Sequence, residues 1–209
     1  MENPTKVIEY KGKLYFDTEF CGEPDKVYEI ETDHREILDL LIWMEKTNLS
    51  QKKKLFNALN RFYLTNIPQN DMVFEKYFQF ILNTDKSLEE IMKEKNNEAP
   101  LMSWAQDYKY LLNAINYSYN NILITQPDLH WIDFRNCMLS LKEDSMFIQI
   151  IANRDAHNNG KATDEQKKAR KQNPEMYVLN IKEETKKDFN KKPTKWELME
   201  RELNQFKNK

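Results

Sequence analysis

Ser103-Trp-Ala-Gln-Asp-Tyr-Lys-Tyr-Leu-Leu-Asn-Ala-Ile-Asn-Tyr-Ser-Tyr-Asn-Asn-Ile122 carries Trp104, Tyr108, Leu111, Leu112, Ile115, Tyr119 and Ile122 at steps of three and four. Residues so spaced fall on one face of an α-helix. Ser103 and Gln106 stand three apart at its start, the spacing of a capping box, in which a hydroxyl and a carboxamide satisfy free backbone N–H groups. A long amphipathic helix over 104–122 is therefore predicted.

The same signals recur on both sides. Asp33…Glu36, Ser87…Glu90, Thr163…Gln166 and Thr194…Glu197 have capping-box spacing, Ser50 suits another start, and Pro127 suits the first turn of one more. The residues from Ile37 to Met44 leave almost no polar face, which predicts a central, buried helix. Leu55, Phe56, Leu59, Phe62 and Tyr63 form one stripe, and Phe74, Tyr77, Phe78 and Ile81 the next. Trp131, Phe134, Met138 and Leu141 follow, then Phe147, Ile148 and Ile151. Before Thr32 the pattern changes. Val7–Tyr10, Lys13–Asp17 and Val27–Ile30 are short, aromatic and β-branched, and Lys11-Gly12 and Cys21-Gly22-Glu23-Pro24 separate them as turns.

The expected fold is mainly α: a helical bundle with a small N-terminal β-hairpin or strand element and a C-terminal helical extension. Residues 1–30 form the β element and 31–151 the helical body. Residues 152–180 are read as a polar linker or solvated helix, because Ala152 to Glu175 contains no Leu, Ile, Val, Met or aromatic residue. Residues 181–209 are read as a basic amphipathic C-terminal helix, with Trp196, Met199, Leu203 and Phe206 on one face.

The net charge of −2 is unevenly spread: residues 161–209 carry 14 Lys/Arg against 9 Asp/Glu, and the rest is acidic. An acidic body with a basic tail favours self-association or an acidic partner. The tail's basic residues are interleaved with acidic ones, so nucleic-acid binding is not expected. The chain has 209 residues, enough for one large domain with or without a tail. Its only glycines are Gly12, Gly22 and Gly160, too few and too scattered for a phosphate-cradling loop or dinucleotide-binding turn. Cys21 and Cys137 make no zinc pattern and read as ordinary reduced thiols. No segment reads as a signal peptide or a bilayer span, which predicts a soluble, cytoplasmic protein.

Few residues could carry chemistry. His130 and Asp133 could contribute two metal ligands, but a site needs three or four, and His34 and His157 lie in distant segments. His130 therefore reads as a border residue bonded to a neighbour. Cys137 with His130 could form a nucleophile and base, but the thiol lies close to the apolar stripe, where thiols are usually inert. The expectation is no catalytic residue, no metal and no cofactor.

Apolar residues off the core stripes are more informative. Tyr110 and Tyr117 are seven apart and face away from Leu111 and Ile115, and Ile132 and Leu139 repeat the pattern on the next helix. Helices apolar on two faces are central to a fold or in contact with partners. With Trp196, Met199, Leu203 and Phe206, these are the candidate partner-binding residues. The tail is expected to dock on an acidic body, a neighbouring copy's in preference to its own.

The order of motifs resembles the bacteriophage gene-product-fifteen family, from the tail gene cluster of long-tailed phages of Gram-positive hosts. The resemblance runs from about Val27 to Leu179. It begins at Tyr28-Glu-Ile-Glu-Thr-Asp-His-Arg35 and continues through Leu49-Ser-Gln-Lys-Lys53, Arg61-Phe-Tyr63, Ile67-Pro-Gln69 and Asp107-Tyr108. It is most specific at Asp128-Leu-His-Trp-Ile-Asp-Phe-Arg135, Leu139-Ser-Leu-Lys-Glu-Asp-Ser-Met-Phe147 and Arg154. The chain departs from the family pattern at His34, where the family has an aromatic, and at Ile132, often a second tryptophan. The family's gene position implies a tail assembly chaperone in the host cytoplasm. Such a protein would bind the tape-measure protein and recruit major tail protein. The competing reading is a minor structural virion protein, or a regulatory protein that binds a host factor.

Overall fold

The computed structural model describes residues 7–10, 13–16, 28–64, 67, 72–95 and 99–180. The expected turns at Lys11-Gly12 and Cys21-Gly22-Glu23-Pro24 lie outside the described residues, as do Thr194…Glu197 and the expected helix with Trp196, Met199, Leu203 and Phe206. Strands β1 (Val7–Tyr10) and β2 (Lys13–Phe16) run antiparallel, with Val7 opposite Phe16 and Tyr10 opposite Lys13. The rest is mainly helical: α1 (His34–Lys46), α2 (Gln51–Phe62), α3 (Met72–Leu82), α4 (Leu88–Lys95), α5 (Trp104–Ser118), α6 (Ile122–Thr125), α7 (Trp131–Leu139), α8 (Met146–Asn158), α9 (Asp164–Gln172) and α10 (Pro174–Tyr177).

Local chemistry sets most helix starts. Ser87 and Glu90 bond reciprocally, and so do Thr163 and Gln166. At α5 the box is split. The Ser103 hydroxyl accepts from the Gln106 N–H, but the Gln106 carboxamide reaches forward to the carbonyls of Glu175 and Val178. Glu45, at the end of α1, takes over the start of α5 by accepting from the Trp104 and Ala105 N–H groups and the Ser103 hydroxyl. A carboxylate there also meets the positive end of the helix dipole.

The ends of α3, α5 and α8 follow one design. Asn83, Asn120 and Gly160 have φ of 51°, 50° and 67°. The N–H one residue beyond each bonds five residues back: Thr84 to Gln79, Asn121 to Asn116, Lys161 to Ala156. This is the Schellman arrangement, whose left-handed residue is usually glycine. In a glycine-poor chain asparagine takes the place twice, because it tolerates that backbone better than most residues. The turn at Asn120-Asn121 also breaks the helix predicted over 104–122, so Ile122 belongs to the separate α6.

Residues 28–33 do not add to a sheet. They thread through the bundle as an extended segment, with isolated bridges between Ile30 and Tyr63 and between Asp33 and His130. Glu31 donates to the Phe62 carbonyl, His34 to Leu129 and Trp131 to Thr32. This pairing holds Leu129 and His130 outside the helix, so α7 starts at Trp131 with an extended His130 as its cap, and Pro127 stays in the preceding turn.

One core joins Tyr28 and Ile30 to α1, α2, α3, α5, α7 and α8. Helix α1 packs chiefly along α5. Trp131 is fully buried; its indole N–H donates to the Ile81 carbonyl at 3.1 Å, and its ring stacks on Phe134. Two stripes differ from expectation. The buried face of α3 is Val73, Tyr77, Phe80 and Ile81, and Phe56 on α2 faces out.

The polar stretch from 152 onward stays with the body. Helix α8 buries Asn153 and Arg154, and Arg154 forms a bidentate ion pair with Asp107 at 2.6 and 2.9 Å, both side chains almost fully enclosed. The same guanidinium donates to the carbonyls of Leu101 and Met176. Lack of apolar residues does not preclude burial where a charge meets its complement. Helix α9 buries no residue and is a solvated helix.

Candidate functional site

Hydrogen bonds gather the C-terminal end of α5, α6, the end of α7 and the start of α8 at one end of the bundle. The Tyr117 hydroxyl donates to Asp144 Oδ2 at 2.7 Å, which pushes its phenol pKa up. Lys142 Nζ sits 4.7 Å from the Tyr117 ring centre, a cation–π contact, and the Lys142 N–H donates to Ser118 Oγ. The Tyr119 hydroxyl donates to the Ser140 carbonyl, and the Leu123 N–H to Asn116 Oδ1. These bonds fix the 140–145 loop and α6 against α5.

Large apolar side chains stand out from this fixed scaffold: Tyr117 at 52% exposure, Ile124 at 71%, Leu139 at 67% and Met146 at 50%. Such side chains at one end of a bundle make it the candidate interaction surface. Of the sequence candidates, Tyr117 and Leu139 are exposed at this end. Tyr110 and Ile132 do not; both are half-buried and pack on the core. Trp196, Met199, Leu203 and Phe206 lie outside the described residues. Sequence reasoning missed Ile124 and Met146. The signal for Ile124 was Asn120-Asn121, a pair suited to left-handed backbone that ends α5 early. Met146 directly follows Ser145, the cap of α8, and so sits at a helix start.

A second exposed set follows α2. Leu49, Phe56 and Leu64 stand at 39%, 60% and 51% exposure. Helix α2 itself carries Lys52, Lys53, Lys54 and Arg61 and no acidic residue, and Arg61 is ion-paired with Asp39 of α1 at 2.8 Å.

The titratable groups have local explanations. His130 Nδ1 accepts from the Ile132 N–H, capping α7, and burial pushes its pKa down. His34 Nδ1 bonds the Leu129 carbonyl, its ring stacks on Phe134, and burial lowers its pKa too. Burial pushes the Cys137 thiol up, away from the reactive thiolate. Among the described residues no group of three or more His, Cys, Asp or Glu could hold a metal ion, and no helix is long and apolar enough to cross a membrane. A pocket lined by Glu31, Glu36, Ile37, Leu40, Arg61 and Phe62 measures about 30 Å³, room for a water-sized group and far short of a small-molecule site.

No curated protein and no solved structure matches the chain. The sequence pattern of the family described as Bacteriophage Gp15 protein matches residues 18–179 of the 209, beginning nine residues before the motifs that start at Val27. That span takes in the extended segment, the whole core and the apolar end with Tyr117, Ile124, Leu139 and Met146, and so the chain belongs to the Bacteriophage Gp15 protein family.

Proposed function

We propose that the protein is a phage tail assembly chaperone, a binding protein rather than an enzyme, acting in the host cytoplasm. Its apolar end, with Tyr117, Ile124, Leu139 and Met146, grips apolar faces of the long helical tape-measure protein. The observation that carries this reading is those four exposed side chains on one hydrogen-bonded scaffold. An anchored tyrosine beside flexible Leu, Ile and Met suits successive segments of a helix, because such side chains repack against varied partners. The separate set at Leu49, Phe56 and Leu64 gives a second surface, suited to the recruited major tail protein.

Co-purification tests the reading. Wild-type protein should hold tape-measure protein when the two are co-expressed, and Leu139→Asp should lose it while keeping its fold. A virion that retains the protein in stoichiometric amount would favour a structural role instead.

A further inference from the structure

The described chain ends at Asn180, whose N–H donates to Gln106 Oε1 at 3.1 Å, in the first turn of α5. The exposed apolar end begins at Tyr117, eleven residues further along that helix, a rise of roughly 17 Å. Beyond Asn180, the sequence places Trp196, Met199, Leu203 and Phe206 at helical spacing after Thr194. Fourteen residues, 181–194, lie between the two, and an unstructured stretch of that length would have an r.m.s. reach of roughly 20 Å. Span and reach match, the condition under which a tethered segment attains its highest effective concentration, in the mM range. A neighbouring copy competes with that only at similar protein concentration.

Charge selects between the two exposed surfaces. Residues 181–209 carry nine Lys/Arg against six Asp/Glu. The α2 face, whose helix has Lys52, Lys53 and Lys54 and no acidic residue, with Arg61 paired to Asp39, disfavours such a segment. The apolar end carries Glu143 and Asp144, and its lysine, Lys142, is already placed over Tyr117.

We propose that the chain's own tail, through Trp196, Met199, Leu203 and Phe206, rests on the end formed by Tyr117, Ile124, Leu139 and Met146 until a helical partner displaces it. The inference rests on reading that end as the docking surface. The tail then keeps the surface covered before assembly, and a partner must outcompete it. The length arithmetic moves the expected docking from a neighbouring copy to the same molecule.

The probe is a fluorescent synthetic peptide of residues 190–209, titrated by anisotropy into three full-length proteins. Wild type, with its site covered, should bind it weakly. Leu203→Asp, whose own tail is disabled, should bind about tenfold tighter or better, as expected when a mM competitor is removed. Adding Leu139→Asp should abolish the gain, and Ile124→Asp provides a second variant at an exposed position. Equal binding by wild type and Leu203→Asp would overturn the proposal, as would indifference to both Leu139→Asp and Ile124→Asp. So would a wild-type oligomer that Leu203→Asp disperses in sedimentation, since that places the tail on a neighbour. Tape-measure binding by the same variants separates the two readings. If it is lost with Leu139→Asp while the peptide is never captured, the chaperone reading stands and the tail inference falls.

Discussion

Replacing Arg154 by methionine removes one half of the most deeply enclosed ion pair described. Its partner Asp107 has a side chain at 0% exposure, and Arg154 itself is at 2%. After the change Asp107 keeps the Ser103 N–H as a donor but has no countercharge. The carbonyls of Leu101 and Met176 lose the same guanidinium. Breaking a buried pair from one side costs about 3–5 kcal/mol, because the remaining charge stays out of water. The cost of the pair as a whole is smaller: Arg154→Met with Asp107→Leu replaces both charges by apolar groups of similar size and should recover at least ~2 kcal/mol of that loss. Urea denaturation of the two variants and wild type measures both quantities, and the m-value reports whether the folded state stays compact. A single variant that loses under ~1 kcal/mol, or a double variant no better than the single, would refute the burial argument. Hydrogen exchange adds a local readout. Amides over 174–180 should lose protection in Arg154→Met, since that guanidinium ties the Met176 carbonyl to the body.

Trp131→Ala should cost about 3–5 kcal/mol, as the side chain is fully buried and its N–H is bonded; chemical denaturation checks it, and a wild-type midpoint would contradict the placement. His34 and His130 have folded pKa values held below the unfolded 6.5 by burial, so below that pH the unfolded state binds more protons. Stability is then full above about pH 6.5 and falls as pH drops, each histidine contributing a slope of at most ~1.4 kcal/mol per pH unit. His130→Asn, which keeps a cap acceptor but cannot titrate, should flatten the dependence in denaturation at pH 7.5 and 5.5. Asn120→Ala should cost roughly 1 kcal/mol, because alanine lacks the short polar side chain that bonds locally and eases left-handed backbone, while Asn120→Gly should not, and the two melting temperatures decide it.

Much of the helical body was legible because short-range chemistry controls it. Ser87-to-Glu90 and Thr163-to-Gln166 are read from three-residue spacing and occur as read. The stripe through Leu111 and Ile115 is a periodic signal that tertiary packing uses rather than overrides. What escaped depends on distance. Val27–Ile30 reads as a strand in a local window, but Ile30 pairs with Tyr63, and Asp33, read only as a helix start, pairs with His130, both far along the chain. That pairing in turn moved the start of α7 past Pro127. The burial of Arg154 was illegible because composition scores it as solvated, and Asp107 lies 47 residues away. At the candidate site, Tyr117 and Leu139 were found from their position off the core stripes. The same rule also returned Tyr110 and Ile132, which are half-buried against the core. Periodicity tells which face a residue takes, not whether another helix lies over it.

Binding to the tape-measure protein through the apolar end is the central claim, and one titration tests it most directly. Purified full-length protein, wild type and Leu139→Asp, would be titrated by calorimetry with a soluble helical fragment of the phage's tape-measure protein. The account predicts saturable binding by wild type, with a negative heat-capacity change from apolar burial. It predicts at least about tenfold weaker binding by Leu139→Asp, the scale of losing one well-buried apolar contact. Equal affinity for the two proteins, or no binding by wild type to any fragment spanning the tape measure, would contradict it.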